Sequence, residues 1–268
     1  MRKLAAATLL GLSSMLLTGC FDIEQTLTLE RNMSGKAGFS MKINMEPMAD
    51  FMLMMQRSME GKTTAPTEAE LAKARKDFVE SGKSKDEMPS KEDFEKNKKE
   101  MQSKLPKGVT LLDGAVTGEG MKMAMNFMFG FDNVSKLAQI DFPKDAAAGG
   151  APGPGGGMPV DSPFGNLKVT DDGKTVLVIN KPDNPMDETK DQMAPPPGQK
   201  PDPEMAKMVE NMTKGLRVAF KITSPMEIIE QNAHRKEGNT LIWEFDIKTF
   251  EKMTPAQLAE GVKVRYKK

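Results

Sequence analysis

Apolar and polar residues alternate strictly over several long stretches of this chain, and that pattern constrains its fold more than any other feature. Phe21, Ile23, Leu27 and Leu29 share one parity, with Asp22, Glu24, Thr26, Thr28 and Glu30 on the other. Alternation resumes with Ala37, Phe39, Met41, Ile43 and Met45 against Lys36, Gly38, Ser40, Lys42 and Asn44. Successive side chains of a strand point to opposite faces, so each stretch predicts a strand with one dry and one wet side. The intervening Arg31-Asn32-Met33-Ser34-Gly35 carries Asn and Gly, which tolerate positive φ, and predicts a hairpin over 21–45. Met121, Met123, Met125, Phe127, Phe129 and Phe131 share one parity opposite Lys122, Ala124 and Asn126, a long strand with a fully apolar face. Residues 109–116 suit a strand before the turn Gly118-Glu119-Gly120. Residues 167–180 suit a hairpin about Asp171-Asp172-Gly173, and 216–222, 226–229, 241–247 and 262–266 suit further strands.

Between the strands the period lengthens to that of helices. Met48, Phe51, Met52, Met55 and Met59 fall on one helical face, ended by Gly61. Thr67 and Glu70 form a capping box for a second helix over 67–80, and Ser90 starts a third that runs to Leu105. Both carry thin apolar stripes, which predicts an exposed helical hairpin resting on the core by one edge. Asp132 is placed to cap a short helix, Asp202-Pro203-Glu204 starts another, and Thr254-Pro255-Ala256-Gln257 a third. Small-residue and Pro/Gly stretches near 144–166 and 181–203 lack apolar periodicity and predict flexible linkers. Runs of hairpins with helices between them indicate an α+β fold rather than a parallel doubly wound sheet. The expected architecture is a mainly antiparallel sheet of hairpins, with Met-rich amphipathic helices packed on it.

The N-terminus reads as an address. Arg2 and Lys3 precede an apolar run from Leu4 through Leu17, too short for a comfortable membrane span of about 20 residues. It closes with Leu17-Thr18-Gly19-Cys20, which resembles the lipobox of bacterial lipoproteins. The resemblance implies diacylglycerol on the Cys20 sulfur, fatty acyl groups such as palmitate, cleavage between Gly19 and Cys20, and Cys20 as the mature N-terminus. Residues 1–19 are then a signal peptide, and 20–268 a single domain tethered to the cell envelope by lipid. In such lipoproteins aspartate after the cysteine favours inner-membrane retention. Phe21 stands there, so the outer membrane is favoured if the host has one.

Charge and cysteine content exclude several classes. Removing Arg2 and Lys3 from the 38 basic residues leaves 36 against 38 acidic ones, a net −2. Such balance offers no field for nucleic acid. Cys20 is the sole cysteine, so once it is acylated no thiol remains for a disulfide, metal or redox chemistry. The single His234 lies near a turn without an acidic or cysteine partner in sequence, so triads and zinc sites lack their usual parts. Gly155-Gly156-Gly157 is not followed by the Lys-Ser/Thr of a phosphate loop. Carboxylates lie mostly in charge-mixed helices, where a solvated face explains them. No catalytic residue, metal site or cofactor is expected.

Two further segments carry a family resemblance. The lipobox leads into Gln25-Thr26-Leu27-Thr28-Leu29 and Gly35-Lys36-Ala37. Near the end come Phe220-Lys221-Ile222-Thr223-Ser224-Pro225-Met226-Glu227-Ile228-Ile229-Glu230-Gln231-Asn232 and Asn239-Thr240-Leu241-Ile242-Trp243-Glu244. These pieces, about a quarter of the chain, resemble the LppM-like bacterial lipoproteins, whose pattern is a strand, Pro-Gly, a short strand, an Asn and a strand with Trp. Met226 stands where that family commonly has Gly. The resemblance implies a lipid-anchored envelope domain with an α+β core and transfers no catalytic residue.

Methionine is the compositional outlier, with 24 residues. Its flexible thioether fills irregular cores, lines adaptable apolar pockets, or binds copper(I). The coincidence of methionines with expected inward faces favours the first two. Met48, Phe51, Met52 and Met55, with Met121, Met123, Met125 and Phe127, are the candidate lining of an apolar pocket. The expected function is a non-enzymatic binding or structural module of the envelope, for an apolar ligand such as a lipid or for another envelope component. A methionine-based periplasmic copper(I)-binding lipoprotein is the alternative.

Overall fold

The structure is a computed structural model and describes residues 21–62, 64–80, 91–140, 163–181 and 215–268. The signal segment with Gly19 and Cys20, the helix expected from Asp202, and nearly all of both Pro/Gly stretches lie outside the described residues.

Alternation becomes sheet. β1 (Phe21–Leu29) and β2 (Gly35–Asn44) form an antiparallel hairpin with Leu27 opposite Ala37. β3 (Val109–Glu119) and β4 (Lys122–Phe131) form a second hairpin, and β4 lies antiparallel to β2 with Met125 opposite Met41. β5 (Leu167–Asp171) and β6 (Thr175–Asn180) are the third. The C-terminal strands are β7 (Arg217–Thr223), β8 (Glu227–Gln231), β9 (Arg235–Glu237), β10 (Thr240–Asp246) and β11 (Val262–Lys267). They sort into a seven-stranded sheet, β3-β4-β2-β1-β7-β10-β9, and a four-stranded sheet, β5-β6-β11-β8. Every pairing is antiparallel except β1 with β7, where Ile23 lies beside Val218.

The apolar parities of both sheets meet in one core. Leu27, Leu29, Phe129, Ile222 and Trp243 of the large sheet join Val176, Val178, Val264 and Tyr266 of the small one, all buried. Phe164 sets its ring edge-on to Phe129 at 6.2 Å. Polar contact between the sheets is sparse and matched: Asn180 Nδ2 donates to Gln25 Oε1 (3.0 Å).

The β1–β2 turn departs from expectation in one respect. Asn32 contributes its side chain, whose Oδ1 accepts from the Ser34 N–H (3.2 Å) and hydroxyl (2.7 Å). Positive φ falls instead on Met33 (φ 71°), where burial of the side chain and a bond from Val134 N to its carbonyl (2.9 Å) hold it.

Three helices lie between β2 and β3. α1 (Glu46–Met59) follows β2 directly, and α2 (Glu68–Glu80) begins with the expected capping box, Thr67 N donating to Glu70 Oε2 (2.7 Å). α2 has no buried residue and packs against α1 through two charged pairs. Arg75 forks onto Asp50 (2.7 and 2.6 Å), and Arg57 Nη1 donates to Glu70 (2.5 Å). α3 (Lys91–Lys104) lies along β3 instead, with Met101 buried and Gln102 Oε1 accepting from Leu111 N (2.8 Å). A 3₁₀ turn follows at Val134–Gln139, capped by Asn133 rather than Asp132. α4 (Ile247–Lys252) begins where the sequence suggested continued strand, and α5 (Pro255–Glu260) carries the Thr254/Gln257 capping box.

Candidate functional site

The strand register gathers a particular set of residues at one end of the large sheet. Phe21 pairs with Ile43, Ile43 with Met123, and Asp22 with Arg217. The start of β1, the end of β2 and the starts of β4 and β7 therefore share an end, and α1 leaves from it. Met45 N donates to Met121 O (2.8 Å) and continues the β2–β4 ladder to the helix.

The core is not closed there. On the inward parity, Phe21, Ile23, Ile43, Met123, Met125, Phe127 and Val218 are only half-buried, around a buried Met41. Further along the same strands Leu27, Leu29, Ala37, Phe129 and Ile222 are sealed. Burial therefore falls off toward Phe21, where apolar surface is partly uncovered.

The candidate pocket residues fall into two groups. Met121 is buried, while Met123, Met125 and Phe127 line the half-open part of the β4 face, with Phe127 stacked 6.4 Å from Phe129. On α1, Phe51 is buried, but Met52 and Met55 are each 39% exposed and Met59 is 85% exposed. The Met48 side chain lies outside the description. Phe51 and Met121 are thus in the interior, while Met52, Met55 and Met59 are turned toward solvent. Helical spacing identifies a common face but not what covers it, and polar pairs to α2 fix the roll of this helix. Asp50 and Arg57 are seven residues apart, nearly two turns, and mark the α2 side; Met52, Met55 and Met59 lie on the opposite side. Between α1, α2 and the β3–β4 turn lies an open cleft of about 680 Å³, lined by Glu46, Arg75, Lys76, Glu80, Met121 and Lys122. Its lining is mixed in charge, and of the candidate residues only Met121 reaches it.

The outward face of the large sheet carries an ion network that alternation alone did not single out. Arg217 reaches Asp22 (2.7 Å), Glu24 (3.3 Å) and Glu244 (2.9 Å), and Lys221 reaches Glu24 (2.8 Å). Burial by itself would raise the Glu24 pKa, but the bonds and charges of Lys221 and then Arg217 outweigh it and hold the carboxyl below its ordinary value. Burial works against the charged Arg217 too, yet Glu244 and Asp22 keep its pKa above the ordinary value. The clue in the sequence was the acidic parity of β1 facing a lone arginine. These pairs satisfy one another.

A second hub ties the sheets together. Trp243 Nε1 and Lys263 N both donate to Asn232 Oδ1 (2.8 and 2.9 Å), and Asn232 Nδ2 donates to Gly261 O (2.8 Å). Gly261 has φ 59°, and a Cβ there would sit 2.5 Å from Asn180 O, so only glycine fits. His234 accepts from Glu244 N at Nδ1 (3.1 Å) and lies edge-on to Phe245, a structural placement. Among the described residues no three His, Cys, Asp or Glu side chains converge to hold a metal ion, and no helix is long and apolar enough to cross a membrane.

The fold and this site define an α+β domain of two packed sheets, open at the end where β1 begins. No protein-family model matches the chain, and no curated protein matches it in sequence. Among solved structures it is distantly similar to the folded domain of LppM from Mycobacterium tuberculosis, determined by NMR. That similarity has 11% sequence identity and a TM-score of 0.40, over 92% of this chain and 88% of the other.

Proposed function

We propose that this chain is a lipid-anchored protein of the bacterial cell envelope, acting without catalysis as a binding or structural module for an apolar ligand or another envelope component. The observation that carries the reading is the order of its first residues: Arg2 and Lys3, the apolar run, then Leu17-Thr18-Gly19-Cys20. Two or more acyl chains hold a protein on a membrane stably where one does not, so a diacylated Cys20 suffices as an anchor. The half-buried Ile23, Ile43, Met123, Met125 and Phe127 support the ligand part of the proposal, because flexible thioethers beside an open core adapt to varied apolar shapes. Phe21 after the cysteine favours the outer membrane in a two-membrane host.

Processing is the direct test. Intact mass of the protein from the membrane fraction is expected to show loss of residues 1–19 and added acyl mass, and Cys20→Ala to release or misplace it. Full-length protein that keeps Met1 and carries no acyl mass refutes the reading. Among the described residues the copper(I) alternative has the exposed thioethers of Met52, Met55, Met59 and Met128 to draw on, while Met33, Met41, Met101, Met121 and Met226 are in the interior. Stoichiometric uptake of copper(I) by the purified protein would favour it.

A further inference from the structure

We propose that the exposed methionine face of α1 is a second membrane contact, lying in the headgroup boundary of the bilayer that holds the Cys20 anchor. The inference rests on the anchor reading and adds to it a surface and an orientation.

Three observations converge. Met52, Met55 and Met59 form a continuous exposed stripe, at spacings of three and four residues, on the side of α1 turned away from α2. Surface helices of soluble domains seldom leave such a stripe in water, and α2 is already engaged through Asp50 and Arg57 on the opposite side. Topology then names the occupant. Cys20 directly precedes Phe21, the first residue of β1. β1 begins, and β2 hands over to α1, at the same end of the sheet, because Phe21 pairs with Ile43 and α1 starts at Glu46. No linker separates anchor from domain, and acyl chains on Cys20 bring this end to the membrane. The half-buried Phe21, Ile23, Ile43 and Met123 are at the same end.

The stripe itself is apolar. Lys62 near the stripe is paired with Glu60, and Arg57 with Glu70, so neither is a spare cation for anionic lipid. An interfacial helix of this kind buries its apolar face about 5–10 Å into the headgroup and acyl boundary. The anchor supplies the residence on the bilayer; the stripe fixes which way the domain faces, with the open end of the core toward the lipid.

The test uses the full acylated protein in vesicles of phosphatidylethanolamine and phosphatidylglycerol, with or without brominated acyl chains. Acylation blocks the only native thiol, so Met55→Cys takes a single fluorescent label, and Glu30→Cys, at the other end of the β1–β2 hairpin, takes the same label as a control. Brominated lipid is expected to remove most of the emission at position 55 and leave position 30 unchanged. Vesicle-bound protein with no quenching at position 55 overturns this inference while the anchor reading stands. Shielding of position 55 that tracks protein concentration in the absence of vesicles gives the face to a second copy and also overturns it. Protein without acyl mass that fails to float with vesicles overturns the anchor reading itself.

Discussion

Replacing Asn232 with alanine tests whether the loop between β8 and β9 is held by one side chain. The substitution removes three hydrogen bonds of 2.8–2.9 Å, to Trp243, Lys263 and Gly261. A typical bond contributes about 1 kcal/mol net, and an orphaned buried donor costs about 1–3 kcal/mol. Trp243 is 1% exposed, so its indole N–H depends on this acceptor. The expected loss is therefore about 3 kcal/mol, which lowers Tm by roughly 10 °C in a domain of this size. Trp243 is the only tryptophan, so urea unfolding of the chain from Phe21 can follow its fluorescence alongside far-UV circular dichroism. A double-mutant cycle with Trp243→Phe, read by circular dichroism, should show coupling of about 1 kcal/mol. A loss below about 1 kcal/mol, or full additivity with Trp243→Phe, refutes the hub.

Two other perturbations follow from the ionisable groups. Tyr266 is 1% exposed, and its hydroxyl has no hydrogen-bond partner among the described residues; burial pushes its pKa above the ordinary value of 10.0. Tyr266→Phe is therefore expected to be neutral or stabilising by about 1 kcal/mol in urea unfolding. Because the folded pKa is raised, Tyr266 contributes stability in its neutral form that is lost as pH climbs above 10.0, and the variant should lose less there. Arg217→Met leaves Asp22, Glu24 and Glu244 facing one another and should cost about 2 kcal/mol at neutral pH, a value discounted for partial exposure. The lowered Glu24 pKa contributes stability above its unfolded value of 4.5 that disappears as pH falls through the folded value, so the gap between wild type and variant should narrow in acid denaturation.

Local pattern carried the strands because a two-residue period states directly which side is dry. Phe129 and Val264 are buried where alternation puts them. The parallel seam between β1 and β7 left no local mark, since Ile23 and Val218 are far apart in sequence and neither strand's own residues encode a partner. The α1 stripe shows the limit of helical spacing: Phe51 is buried and Met59 exposed although both satisfied it, because the ion pairs to α2 decide the roll. Asn232 stood in the sequence as part of the resembling segment, and only its neighbours in space show it as the acceptor of Trp243. As for the candidate site, the sequence named the apolar residues of β4 but not the open end of the core.

The β1–β7 seam also sets a schedule. β1 leaves the ribosome early, and one of its edges is satisfied at once by β2. The other edge waits for Arg217–Thr223, 195 residues later. Until then the nascent protein presents an unpaired strand with alternating apolar side chains, the kind of edge that recruits other chains. The seam lies in the middle of the large sheet, so the sheet is completed late and from both termini, a topology of high contact order that folds slowly. A newly made chain of this design depends on being kept apart from its siblings until its last fifth has been synthesised.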